Sequence, residues 1–242
     1  MQVAIITLLT IVASGVGTLS GFGTSTVMVP LLSLFFPIQM TLLFVGIIHL
    51  FGNIWKMLLF YRGIRWRLLL YFGIPGVIFS FAGAQLTGVV NQTVLKQLLG
   101  VFLIIYPVTL LLKPSLKLKT SPGFTISTAI LSGFIAGIIG VGGAIRSAAL
   151  SAFNLHKTIY IFTNGAISLG VDITRVAVYV EQGTVLTETL LYGMVIYIPA
   201  SFMGAYLAKR ILRKIPQKRF RKIISLFLLL TGIYLLLSTV YP

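Results

Sequence analysis

The chain is 242 residues long, 57% hydrophobic and only 9% charged, so it lacks the polar side chains a soluble fold of that size needs for its surface. Its net charge of +16 crowds into short connections between apolar runs, which excludes nucleic acid as a partner and makes the lipid bilayer the first one. Without cysteine, and with two histidines and three acids, neither disulfides nor a metal cage are expected, and no cofactor is implied. The composition predicts an all-α polytopic membrane protein.

The first apolar stretch, Val3–Phe36, has no Lys or Arg before it, which argues against a signal peptide. As one helix rising about 1.5 Å per residue it would overshoot a hydrocarbon core of roughly 30 Å. The run Gly21-Phe22-Gly23-Thr24-Ser25 cuts it into two arms. Three spans follow, Met40–Tyr61, Arg67–Leu86 and Leu95–Leu112. A charged, proline-marked linker, 113–122, then separates a first membrane repeat, 1–112, from a second, 123–242. The second repeat opens with another overlong stretch, Gly123–Asn154, cut by Gly140-Val141-Gly142-Gly143-Ala144. Its spans are Lys157–Val180, Glu188–Ala208 and Ile223–Val240.

The two glycine breaks, Gly21 and Gly140, stand 119 positions apart, and the match extends along the chain. Asn53 and Lys56 correspond to Asp172 and Arg175, Gly63 to Gly183, Gly73 to Gly193, and Gly83-Ala84 to Gly204-Ala205. Such a series predicts an internal duplication. Charge then sets its hand. Arg62, Arg65 and Arg67 flank one connection of the first half, Lys113, Lys117 and Lys119 the linker, and eight basic residues fill 209–222. If each broken unit enters and leaves on one side, all three basic loops face the cytoplasm, the halves are inverted, and both termini lie outside. Each half then holds three full spans plus a glycine-broken re-entrant or discontinuous unit. The count rises to seven or eight if the long arms, Val3–Ser20 and Gly123–Ile139, cross fully.

A glycine turn at the midplane frees backbone amides, and the helix after it adds a partial positive end, so it suits an anion without a charged side chain. The substrate-binding candidates are Gly23, Thr24, Ser25 and Thr26 at the first break and Gly142, Gly143, Ala144 and Ser147 at the second. The bland alternative is close helix packing through small residues. Arg146 follows the second break in an apolar arm, and a buried arginine costs about 2.5 kcal/mol or more unless paired or wet. Its forked donors fit an oxyanion, and it could equally pair with Asp172 or reach an interface. The corresponding residue in the first half is Val27.

Coupling or gating candidates are His49, Asn53, Asp172, Arg175 and Asn164. Asp172 and Arg175 share a helix face. Asp172, the one acid inside a span, is either a protonatable coupling group or the counter-ion of Arg175 or Arg146. His49 titrates in a range that suits proton coupling, or packs as a satisfied core residue. Asn164 and Thr163 could bond a ligand or a neighbouring helix. Lys56 and Arg175 lie close enough to span ends to snorkel. His156 is expected at the surface, and Trp55, Trp66 and Tyr61 in an interfacial belt.

The stretches Gly21-Phe-Gly-Thr-Ser-Thr-Val-Met-Val-Pro30-Leu31-Leu32 and Gly137-Ile-Ile-Gly140-Val-Gly142-Gly143 resemble the duplicated glycine motif of the sulfite exporter TauE/SafE family. The resemblance covers the two motifs, their half-length spacing and the compact size. It implies a membrane permease of two homologous halves that moves sulfur-containing or organic anions. The chain departs from the family pattern where Ala149-Leu150 replaces the Pro-Leu pair in the second half. Residues and resemblance together predict a secondary transporter, an exporter, of a small anion such as sulfite, thiosulfate or a sulfonate, in the cell membrane. The alternatives are an anion channel, a proton-coupled importer, or the membrane subunit of a larger complex; a homo-oligomer is possible. The sequence carries no phosphate-binding G-x-x-x-x-G-K motif and no nucleophile–base pair, so neither ATP coupling within the chain nor an enzyme is expected.

Overall fold

A computed structural model describes residues 1–61, 64–112, 120–211 and 217–240. Part of the predicted linker, 113–119, lies outside these, as do Arg62, Gly63, Arg213 and Lys214. The described residues form ten helices: α1 (Gln2–Ser20), α2 (Ser25–Leu32), α3 (Ile38–Leu59), α4 (Trp66–Val89), α5 (Gln92–Leu112), α6 (Pro122–Ile139), α7 (Gly143–Ser151), α8 (Lys157–Glu181), α9 (Glu188–Ile211) and α10 (Gln217–Val240). Eight are long and apolar enough to cross a membrane. The exceptions, α2 and α7, have 8 and 9 residues, about 12–14 Å of helix, too short to cross. The chain is thus an all-α, multi-pass, membrane-embedded protein.

The glycine breaks explain why α1 and α6 stop. Each ends on a glycine in the left-handed region, Gly21 at φ 77° and Gly140 at φ 78°. In each the cap amide bonds back four residues, to the Gly17 and Ala136 carbonyls. Only glycine takes that conformation without a Cβ clash. The chain then doubles back. Thr24 Oγ1 reaches Ser14 Oγ at 3.5 Å, and Ser132 Oγ donates to the Gly142 carbonyl at 2.8 Å, so each short helix starts beside its own long arm. The long arm is span-length in both units, which raises the count of candidate spans from six to eight.

Close backbone approach at small residues joins the elements. On α4 and α6, Gly76 meets Gly133 and Ser80 meets Gly137, in ascending order on both, so the two helices run parallel. Gly15 of α1 lies against Gly204 of α9, and Gly100 of α5 against Gly232 of α10. In membranes, where lipid is as apolar as leucine, such contacts supply the van der Waals packing that holds helices together. Each long arm therefore packs on a helix of the other half. The central pair, α3 on α8, is antiparallel: Gly46 lies near Arg175 and Val176, and Gly165 near Asn53 and Lys56. Large exposed side chains such as Leu8, Ile78, Ile105, Val195 and Leu230 face outward, as lipid requires.

Candidate functional site

The two breaks touch. Gly143 sits against the Phe22 carbonyl, and Ser147 Oγ donates to the Gly21 carbonyl. That carbonyl also accepts from Asn164 Nδ2 at 2.7 Å. Residues 126 and 143 positions apart thus tie α7 and α8 to the first break. Tyr160 adds its hydroxyl to the Ser147 carbonyl at 3.2 Å, and Tyr106 reaches the Ala144 carbonyl at 3.3 Å. In the opening turns, the Val27 and Met28 amides bond back to the Thr24 carbonyl, and those of Ala144 and Arg146 to the Val141 and Gly142 carbonyls, so only part of the first-turn donor set is left to other partners.

Around this contact lies a buried polar network. Asp172 of α8 accepts at Oδ1 from Arg175 Nε and Nη2, both at 2.9 Å. Its Oδ2 accepts from Asn53 Nδ2 at 2.7 Å and from His49 Nδ1 at 2.9 Å. The Asn53–Asp172 bond joins positions 119 apart, the offset of the two breaks. Lys56 Nζ donates to Asn53 Oδ1 at 3.1 Å. Arg146 Nε donates to Asn164 Oδ1 at 2.8 Å, and its Nη2 to Ser168 Oγ. All of these side chains are buried.

The charges do not balance. Lys56, Arg146 and Arg175 are buried with one buried acid, Asp172, which leaves an excess of two positive charges when His49 is neutral. Arg175 holds the carboxylate, whereas Arg146 and Lys56 are bonded to neutral amide and hydroxyl groups. An uncompensated buried charge costs several kcal/mol, so a counter-charge supplied from outside the chain would stabilise this arrangement. An anion at the breaks would supply it.

The coupling candidates His49, Asn53, Asp172 and Arg175 form one cluster, and Asn164 bridges Arg146 to the first break. The side-chain hydroxyls of the first break are engaged locally, Thr24 with Ser14 and Thr26 with the Phe22 carbonyl, while Ser25 opens α2 as a buried residue. Gly23, at φ 90°, faces the His49 ring, and Gly142 leans on Ser132. Lys56 and Arg175 do not snorkel: both point into the core, because Asn53 and Asp172 offer partners there that lipid does not. Trp55 is half-buried, its indole donating to Ser201 Oγ at 3.1 Å. Trp66 and Tyr61 are exposed near helix ends, and so is His156. Thr163 is buried with its hydroxyl unbonded. Among the described residues no group of three or more metal-ligating side chains gathers.

Sequence reasoning missed Ser14, Ser132, Ser168, Tyr106 and Tyr160. Ser14 and Ser132 stand at nearly the same offset as the glycines, and Ser168 lies 119 after His49, so the internal alignment carried their signal. The tyrosines had none.

The family model for "Sulfite exporter TauE/SafE" matches residues 6–235 of the chain. The chain is also 26% identical to the "Probable membrane transporter protein MJ0441" of Methanocaldococcus jannaschii, over 73% of this chain and 70% of that protein. No solved structure matches the chain.

Proposed function

We propose a cargo and a direction for a chain that belongs to the sulfite exporter TauE/SafE family and is a membrane transporter. The cargo is a small sulfur-containing oxyanion such as sulfite, thiosulfate or a sulfonate, and the direction is export across the cell membrane. The observation that carries the anion is the excess of two buried positive charges beside the touching breaks. The family's description favours sulfur chemistry within that class.

In this reading the anion sits between the opening turns of α2 and α7, with Gly23, Thr24, Ser25, Thr26, Gly142, Gly143, Ala144, Arg146 and Ser147 around it. Arg146 turns part of its fork to the ligand. Asp172, Arg175, Asn53 and Asn164 hold the surrounding network. Parting the breaks requires breaking the Ser147–Gly21 and Asn164–Gly21 bonds, so they act as a latch. The repeats 1–112 and 123–242, inverted and with both termini outside, rock against each other about it. The basic loops, on the cytoplasmic face, raise the local anion concentration. A negative interior favours export by about 2.3 kcal/mol per net negative charge moved per 100 mV. No catalytic step is needed.

The test is purified protein in liposomes loaded with sulfite, thiosulfate or a sulfonate. Each gradient or imposed potential should drive efflux of at least one of them. Failure of all three to move would remove the sulfur-anion reading. Movement at channel-like rates, with no saturation, would favour a channel instead.

A further inference from the structure

His49 is buried deep in the site, yet only one of its ring nitrogens is engaged. Nδ1 lies 2.9 and 3.1 Å from the two oxygens of Asp172. A carboxylate can only accept, so Nδ1 carries the hydrogen, and in the neutral ring Nε2 is left with a bare lone pair. Nε2 is buried and has no hydrogen-bond partner among the described residues. It is aimed at the first break: the Cβ of any side chain at Gly23 would meet Nε2 first, at 2.5 Å. A buried acceptor left unmet costs about 1–3 kcal/mol, so its retention needs a reason.

We propose that His49 Nε2 is the proton-binding position of the transport site, so that each anion seated at the glycine breaks is accompanied by one proton taken up there. This rests on the anion reading above. The proton comes from water on the loading side, forms an N–H bond at Nε2 and leaves to water on the other side. Nδ1–H stays on Asp172 throughout. No electron changes hands.

The surrounding charges link the two ligands. Asp172 and Arg175 reach His49 from α8, Lys56 lies two turns along α3, and Arg146 acts from α7 through the field at Asp172. No ionisable side chain occurs in α1 or α2. Tyr197 of α9 packs on Phe44, and Tyr106 of α5 bonds at Ala144. Protonating His49 alone would raise the buried excess from two positive charges to three. An anion at the break offsets that repulsion and accepts from the new Nε2–H. Proton and anion therefore bind cooperatively, and the coupling is reciprocal.

The experiment uses the full chain in liposomes, with the potential clamped and a pH dye inside. Thiosulfate and methanesulfonate serve as probes because neither titrates near neutral pH. The wild type should move about one proton per anion, and His49→Gln should lower that ratio at least tenfold. Anion movement without protons would overturn the proposal and leave the anion reading standing; a ratio unchanged in His49→Gln would do the same. No movement of either probe, or of sulfite, would overturn both. If His49→Gln does not fold, nitrogen-15 NMR of His156→Ala, which retains His49 as its one histidine, gives the answer. Thiosulfate should convert Nε2 from the unprotonated to the protonated signal. An unchanged signal with anion bound would sink the proposal.

Discussion

The two glycine breaks share a backbone and differ in chemistry. Both end a long arm on a left-handed glycine, and both send a short helix back along it. At the first break, Gly17 of the long arm leaves room for the returning backbone at Gly23 and Thr24. At the second, that place is taken by Ala136, and Gly142 of the returning strand makes the room instead. The first break offers a carbonyl acceptor and faces a histidine, whereas the second carries Arg146 where the first has only Val27. A shared backbone frame can thus be kept by packing while the two breaks differ in chemistry, one accepting hydrogen bonds and the other bringing positive charge.

The largest test of that comparison is Gly142→Leu. A Cβ there would overlap the Ser132 carbonyl and the Ala136 amide, so the second hairpin cannot close. Transport should fall below detection, and detergent-purified protein should lose its monodisperse peak; normal flux would mean the hairpin tolerates bulk and the close approach is incidental. Next comes Asp172→Asn, which keeps the shape but leaves Arg175 without its carboxylate. Breaking one side of a buried pair costs about 3–5 kcal/mol. Thermal unfolding without anion should drop sharply, and added thiosulfate should restore more stability than it gives the wild type. An equal anion effect in both proteins would argue that the ligand does not feel this charge.

Arg146→Ala sharpens the asymmetry. Hydrogen bonds to a charged group are worth about 1.5–3 kcal/mol, so anion affinity should weaken roughly ten- to hundred-fold. Val27→Ala at the corresponding position should change affinity less than about threefold. Similar losses at both positions, measured by equilibrium binding, would make the breaks chemically equal. The smallest effects come from the matched hydroxyls. Ser132→Ala removes a 2.8 Å bond and should cost about 1 kcal/mol of stability. Thr24→Val removes only a long, weak bond of 3.5 Å and should cost less. The reverse order in thermal denaturation would show that the first hairpin depends more on its hydroxyl than the second.

Much of this was legible in the residues. The membrane class, the six uninterrupted spans and both breaks followed from apolar runs and from glycines where a helix does not favour them. Arg146, Asp172, His49 and Asn53 stood out because a polar side chain inside a span is costly and needs a cause. Lys56 and Arg175 were read toward the interface, since distance to a helix end is local while the partner that draws a side chain inward is not. Tyr160 and Tyr106 were invisible for the same reason: each meets a backbone carbonyl of α7 from another helix.

By itself the sequence determined where the chain could cross a bilayer and where it must turn, because hydropathy and glycine geometry act within a few residues. Only the tertiary structure decided that the breaks touch, that Asn53 bonds Asp172 from another helix, and that Lys56 and Arg146 are buried on neutral partners while Arg175 holds the one buried acid. The first two are contacts between residues more than a hundred positions apart, set by which helix packs on which. Charge balance in a buried site depends on that assembly and on nothing a single segment carries.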